Sequence, residues 1–508
     1  MKVYPMGFTP EIKKILIAKA KKEDLDFVSH SLRTEEELAV IFAKVSRNPG
    51  SFEELARSVT EEGASDFHKK WTVSVEGYGH SSVAEHAMIH MAVENVPSLD
   101  GDFLTDNRLA SYTEFSARFK GRQALSYFTP ESVKKNPKLL KKWKDVHNLI
   151  FKVNDDLVVK GMEYIATDEA KKKCPDRLIT IKVVSDQFKN LLPASRLTSI
   201  AITVNAREAE HIIKKFLSSE YPSVVKLGKA FKRECLKVSP TLVKYAEPSE
   251  YLTLTRKGLA SLISKRELRK DYYEVDEKVK KVVLLDWDKF ADEKVLAAAI
   301  YQDSRSGSFE DLLKILKGIP KSEKENYIKS ILGKLGRWDI PIRALEMPND
   351  YLVEYPAMTY GDWREYKRHR MQSYQAKDLD VKWGYMIPAL AYEMDDSKDS
   401  KYHGTVEVIK ETIGEVEKLF KEVSKVDSIS AKYLVTRFHY RPAIAKFNIR
   451  EAYHLMKLRT SANAHPFIRR LMWPLFDELK KVNPILMNHL KIRLESDARP
   501  DRNSPWSF

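Results

Sequence analysis

Three stretches of this sequence occur twice, in the same order, and nothing else in it constrains the fold as strongly. "SRNPGSFEEL" from Ser46 returns as "SRSGSFEDL" from Ser304. "DNRLASYTEFSARF" from Asp106 is answered by "RHRMQSYQAKDLD" from Arg368, with Arg108 against Arg370 and Ser111-Tyr112 against Ser373-Tyr374. "TVNAR", ending at Arg207, returns as "KFNIR", ending at Arg450. The offsets are 258, 262 and 243 residues. Near-constant offsets in a fixed order mark a tandem duplication, so the 508 residues are expected to fold as two copies of a unit of about 220 to 250 residues, within the size a single core supports.

Periodicity gives the content of each copy. Leu139, Trp143, Val146, Ile150, Val153 and Leu157 step by three and four, as do Val406, Ile409, Ile413, Val416, Phe420 and Val423. Each set predicts one buried face of a long helix. "AMIHMAVENV" and "DYLVEYPAM" read as strands, the first ambiguous with helix. The expected class is α+β, each copy a sheet packed with long helices. The expected domains are 1–255 and 286–495, with the charged segment 256–285 as linker and docking segment and 496–508 as an irregular tail.

Composition narrows the setting. No segment approaches the roughly 18 uninterrupted apolar residues of a membrane span, and the N-terminus lacks an apolar block followed by a small-residue cleavage site, so a soluble cytoplasmic protein is expected. The two cysteines, Cys174 and Cys235, are 61 residues apart and match no zinc or redox spacing. The net charge of +15 fits either phosphorylated ligands or nucleic acid, and equally a solvated lysine face in segments such as "KNPKLLKKWKDVH".

Glycine-rich phosphate loops and a zinc-spaced Cys/His set are missing, so an anionic cofactor has to be gripped by side chains, for which the planar, permanently charged arginine fork is suited. The candidate residues resemble a known family. "GHSSVAEH", the Ser-Tyr segment ending "SARF", the intact "RHR" and "TVNAR" look like the flavin-dependent thymidylate synthases, whose signature is R-H-R-x-x-S-x-N-x-x-S-x-R preceded by G-H-x-x-x-x-E-H. Each copy is close to one family protomer in length and motif order. The first keeps Gly79, His80, Glu85, His86, Arg108, Ser111, Ser116, Arg118, Thr198, Asn205 and Arg207, but has Asp106 and Asn107 for the leading Arg-His and Thr113 for the asparagine. The second keeps Arg368, His369, Arg370 and Ser373, has Asp378 and Asp380 where serine and arginine belong, and its "GRWDIPIR" lacks the His and Glu pair. Downstream, Asn448, Arg450 and Arg459 hold the family spacing, and Ala464 and Arg469 its continuation, with His465 for the usual glutamine.

The resemblance implies a flavoprotein that methylates deoxyuridylate, with methylenetetrahydrofolate as carbon donor, FAD as hydride carrier and NADPH as its reductant, at a composite site to which both halves contribute. It implies FAD-binding roles for Ser46, His80, Glu85, Asn205, Arg207, Arg368, His369, Arg370, Asn448 and Arg450, and nucleotide-binding roles for Ser116, Arg118 and Arg459. Of these, Arg370, Ser116 and Arg118 stand nearest the chemistry. No catalytic cysteine and no metal are called for. The family homotetramer implies a homodimer of these double-length chains.

Competing readings stand beside it. Arg368 to Arg370 could be an exposed basic turn; His80, His86 and His90 could be a metal site or ordinary packing histidines; Arg207, Arg450 and Arg459 could be structural partners of carboxylates. At the level of the whole chain, the alternatives are a protein that binds or modifies uracil in nucleic acid, and a non-catalytic scaffold. Asp106, Asp378 and Asp380 would repel a phosphate from the pockets they border.

Overall fold

A computed structural model describes residues 1–5, 10–22, 33–45, 48, 51–73, 78–115, 126–173, 184–255, 281–301, 307–336, 339–461 and 464–490. The chain divides into two compact units, residues 1–130 with 195–268, and residues 131–194 with 269–508. The first copy therefore gives the segment carrying its long helix to the second unit.

In the first unit, β1 (Lys2–Pro5), β2 (Met88–Pro97), β3 (Ala110–Glu114) and β4 (Leu197–Asn205) form an antiparallel sheet in the order β1-β2-β4-β3. Alternation puts Ile89, Met91 and Val93 of β2, and Ile200, Ile202 and Val204 of β4, into the core, as a half-buried strand requires. A bulge between Val93 and Val96 accompanies the left-handed backbone of Asn95, φ 56°. The helices Ala206–Leu217 and Pro222–Val238 approach so closely that a Cβ on Gly228 would lie 2.6 Å from the Phe216 side chain.

The second unit repeats the sheet. Strands β5 (Val283–Asp286), β6 (Tyr351–Tyr355), β7 (Ser373–Ala376) and β8 (Ala443–Phe447) are ordered β5-β6-β8-β7. The registers agree as well: Ser111 and Tyr112 face Thr203 and Ile202, while Ser373 and Tyr374 face Lys446 and Ala445. The counterparts in the second sheet are thus displaced by the same 262 and 243 residues that separate the sequence motifs. "SFEEL" and "SFEDL" turn out to be matching helix starts, with Ser51 and Ser308 each closing a capping box, with Glu54 and with Asp311. Both stretches read as strands, "AMIHMAVENV" included, carry β2 and β6.

Also in the second unit, the helices Pro137–Ile165 and Thr405–Ser424 pack antiparallel. Lys142 reaches Glu422 at 2.7 Å near one end, and Lys160 reaches the Thr405 hydroxyl at 3.1 Å near the other. Every residue of the two expected apolar faces is buried. Among the described residues no helix is long and apolar enough to cross a membrane.

Candidate functional site

The Arg-His-Arg cluster sits where a short helix gives way to an edge strand. Thr359 and Asp362 close a capping box at the start of the helix Tyr360–Tyr366, the His369 amide donates back to the Tyr366 carbonyl at 3.1 Å, and β7 begins at Ser373. The His369 side chain is buried inside this corner and both its nitrogens are engaged. Nδ1 lies 3.1 Å from Glu451 Oε1, and Arg459 Nε lies 2.8 Å from Nε2.

An arginine N–H can only donate. Nε2 must therefore be the bare acceptor, and the ring proton sits on Nδ1, donating to Glu451. The imidazole is neutral: burial depresses its pKa well below the usual value, and the Arg459 charge lowers it further. Burial also pushes the Glu451 carboxyl up to about 7. Asn448 sets this geometry from the helix end, since its side chain accepts from the Glu451 amide at 2.9 Å and starts the helix Ile449–Arg459 that carries both partners of His369.

Glu365 joins the outer part of the cluster, one oxygen 3.0 Å from Arg459 and the other 3.4 Å from Arg368. Arg368 also donates to the Arg364 carbonyl at 3.3 Å, yet its side chain stays 56% exposed. Arg370, the next residue after the buried histidine, is exposed. Two arginines thus flank a fixed pivot in the sequence. In the first copy the positions of His369 and Arg459 are held by Asn107, whose amide donates to the Leu104 carbonyl at 2.8 Å, and by the buried Phe216, so that copy has no equivalent relay.

A second device occurs in both copies. In the first unit Gly79, at φ 72°, leads through His80 into a 3₁₀ turn Ser81–Glu85, and Glu85 is ion-paired with Arg207. Asn205 caps the helix that carries Arg207, accepting from the Glu208 amide at 2.8 Å. In the second unit the turn Arg343–Glu346 ends in Glu346, which pairs with Arg450, whose Nε also donates to the Pro341 carbonyl at 2.9 Å. The glutamate that "GRWDIPIR" lacks is therefore supplied three residues beyond that stretch. Arg207 and Arg450 are partners of carboxylates, and about half of the Arg207 side chain remains exposed.

His80 also belongs to a ring cluster with Trp71 and Tyr78. His86 meets Phe42 edge-on at 5.2 Å, and His90 is bonded to the Thr203 hydroxyl at 2.9 Å. The aspartates that replace signature residues have structural work: Asp378 pairs with Lys432, and Asp380 accepts from the Lys382 amide at 3.0 Å to start a 3₁₀ turn. Ser46, Ser116 and Arg118 lie outside the described residues. The structure therefore gathers Arg368, His369 and Arg459, with Asn448 behind them, in one group, puts Arg450 in another, and holds Glu85, Asn205 and Arg207 around a third. Sequence reasoning missed Glu451, Glu365, Glu346, Trp71 and Tyr78. Only Glu451 had a readable signal, three residues after a capping asparagine.

A family profile described as "Thymidylate synthase complementing protein" matches residues 27–241 and again residues 283–485. A UPF0159 protein of Thermoplasma acidophilum is 23% identical over 468 residues, 85% of this chain and 89% of the relative. The flavin-dependent thymidylate synthase of Thermococcus onnurineus is 30% identical over 141 residues, 27% of this chain and 49% of the relative. A solved structure of the flavin-dependent thymidylate synthase ThyX from Helicobacter pylori, complexed with FAD and dUMP, matches at 14% identity and a TM-score of 0.29, covering 49% of this chain and 100% of that one.

Proposed function

Because the chain belongs to the thymidylate synthase complementing protein family, represented twice along its length, we propose that it binds FAD and transfers a one-carbon unit to deoxyuridylate, with methylenetetrahydrofolate as donor and NADPH as reductant. The observation that carries this reading is the buried Glu451–His369–Arg459 relay, which fixes the corner that bears the exposed Arg368 and Arg370.

The residues present fit a flavin dinucleotide. Its diphosphate needs donor-only, permanently charged groups, and each charge-assisted hydrogen bond contributes roughly 1.5 to 3 kcal/mol. Arg368 and Arg370 supply them on a rigid base, and His369, both of whose nitrogens are committed to protein partners, acts as their pivot. Arg450, balanced by Glu346, offers a further anion contact in the second unit, where Asn448 starts its helix, and Arg207, balanced by Glu85, offers one in the first, where His80, Glu85 and Asn205 shape the turn. Ser46 completes the cofactor set, and Ser116, Arg118 and Arg459 are the nucleotide-side residues of this reading. When bound, reduced FAD supplies the hydride that completes the methyl group.

A cysteine nucleophile has no place in this scheme. The one described thiol, Cys235, is fully buried and burial pushes its pKa far up, so it is not a thiolate at neutral pH.

Two measurements test the proposal. Protein purified from cells, or mixed with FAD and desalted, carries the yellow flavin absorbance and releases it on denaturation, and the double variant Arg368→Ala/Arg370→Ala loses it. Loaded protein given deoxyuridylate, methylenetetrahydrofolate and NADPH forms thymidylate. Colourless protein that takes up no FAD overturns the redox reading, and flavin-loaded protein that makes no thymidylate overturns the assignment of substrate.

A further inference from the structure

The first unit carries a group of aromatic rings of which the flavin reading uses only His80. Trp71 and Tyr78 stack with centroids 4.9 Å apart and planes 19° apart, and His80 lies 6.3 Å from each at 25° and 21°. All three rings are thus nearly parallel. Backbone hydrogen bonds hold them so: the Tyr78 amide donates to the Lys70 carbonyl at 3.0 Å and the His80 amide to the Trp71 carbonyl at 2.8 Å. Beneath Trp71 the turn is anchored by the buried His68, whose ring is 2.9 Å from the Glu36 carbonyl and 3.1 Å from the Thr72 hydroxyl.

The assembly is built on a buried base yet open above. Tyr78 is 70% exposed, and His80 is exposed too. Lys70 places its ammonium over the Trp71 ring, 5.1 Å from its centroid, a cation held against the aromatic group, on a chain whose net charge is +15. An aromatic face open to water beside a lysine is complementary to a planar heterocycle that carries a phosphate.

We propose that Trp71, Tyr78 and His80 form a stacking platform for an unpaired nucleobase, whose phosphate is attracted by Lys70. The base stacks on Tyr78, which Trp71 backs and His80 flanks, while the ammonium neutralises the adjoining phosphate. Such stacking needs no hydrogen-bond readout and is tolerant of base identity. The same chemistry is presented by a free mononucleotide and by a single-stranded polynucleotide. The proposal rests on the Trp71–Tyr78 stack and Lys70, which the flavin reading does not use; His80 alone is shared with it.

Fluorescence anisotropy of a labelled thymidine decamer with the full-length protein at low salt tests it, with unlabelled deoxythymidine monophosphate as competitor. Saturable binding is expected. Tyr78→Ala, at an exposed position, weakens it by about 5- to 150-fold, the range for loss of one stacked base, while Tyr78→Phe leaves it within about twofold because the ring is kept. Lys70→Ala lowers the slope of log affinity against log salt by about 1. Competition by the mononucleotide at concentrations similar to the decamer identifies the free nucleotide as the natural source, and failure to compete identifies the single strand. Absence of saturable binding by both probes, or binding that Tyr78→Ala leaves unchanged, overturns the platform. FAD uptake measured on the same variants separates the two readings: loss of FAD alone, with neither nucleotide probe bound, counts against the nucleobase site and leaves the flavin assignment standing.

Discussion

Pro193 faces Thr436 across an antiparallel bridge, and each is the other's counterpart in the duplication, 243 residues away. The flanking bonds are reciprocal. The Ala194 amide donates to the Val435 carbonyl at 2.9 Å, and the amide of Arg437, the counterpart of Ala194, donates to the carbonyl of Leu192, the counterpart of Val435, at 3.2 Å. A contact in which residue i meets j while j meets i is the signature of a two-fold, self-complementary interface. Within the second unit the chain thus holds, in covalent form, what two identical subunits would have made by association.

Removing Arg459 should destabilise the corner more than its partial exposure suggests. Arg459→Leu leaves the buried His369 Nε2 without its donor and strips Glu365 of one partner, a loss of about 1 to 3 kcal/mol by the usual cost of an unsatisfied buried group. A urea midpoint lowered accordingly, together with weaker FAD uptake, is the expected result. Unchanged stability would mean that the relay does not fix the corner.

The raised Glu451 carboxyl gives a pH signature. Its folded pKa, about 7, lies above the reference value of 4.5, so the folded state holds this proton more firmly than the unfolded chain. Stability from this group is fully present below about pH 4.5 and is lost as pH rises toward 7. Glu451→Gln, which keeps an acceptor for His369 but cannot ionise, should gain stability relative to the parent as pH rises from 4.5 to 8. The depressed His369 pKa acts in the opposite sense, favouring the folded state as pH rises to about 6.5, in both proteins. Urea melts of the two proteins at pH 5 and pH 8 check this, and a pH-independent difference contradicts it.

The duplication, the α+β class and the two long helices were legible because each rests on a periodic or repeated pattern: the step of three and four that buries Trp143 and Ile413, the alternation along β2, the shared serine caps at Ser51 and Ser308. The relay was not legible. His369, Glu451 and Arg459 become neighbours only when the corner before the edge strand and a helix some 80 residues later are brought together; the spacing after Asn448 marks Glu451 as a helix-start residue but not as a partner of His369, and nothing local marks Glu365. Glu346 was hidden by a shift of four residues in the second copy, from the Ile342 position that aligns with Glu85, which only the turn geometry realigns. The aromatic group escaped because no repeat or motif marks Trp71, in the short π-helical turn His68–Thr72, or Tyr78, and their stacking follows from backbone pairing at Lys70 and Trp71.

At Gly361 the two copies touch closely inside the second unit. A Cβ there would lie 2.3 Å from the side-chain oxygen of Asn190, and the Gly361 amide donates to the Arg437 carbonyl at 3.0 Å. Asn190 is itself buried and tied to the Asp186 carbonyl at 2.5 Å, so it has little room to yield. Gly361→Ala should cost about 1 to 3 kcal/mol, read as a lower thermal midpoint, and adding Asn190→Ala should recover part of the loss. Equal midpoints for the single variant and the parent would contradict so close an approach.

The intrachain two-fold pairing is tested most directly by cutting the chain between the copies. Residues 1–255 and 281–508, co-expressed as separate polypeptides with a tag on one alone, should co-purify in equal amounts and elute as one species with the mass of the intact chain, because residues 131–194 of the first piece pack within the second unit. Two folded pieces that elute separately, with no exchange on mixing, would contradict the account.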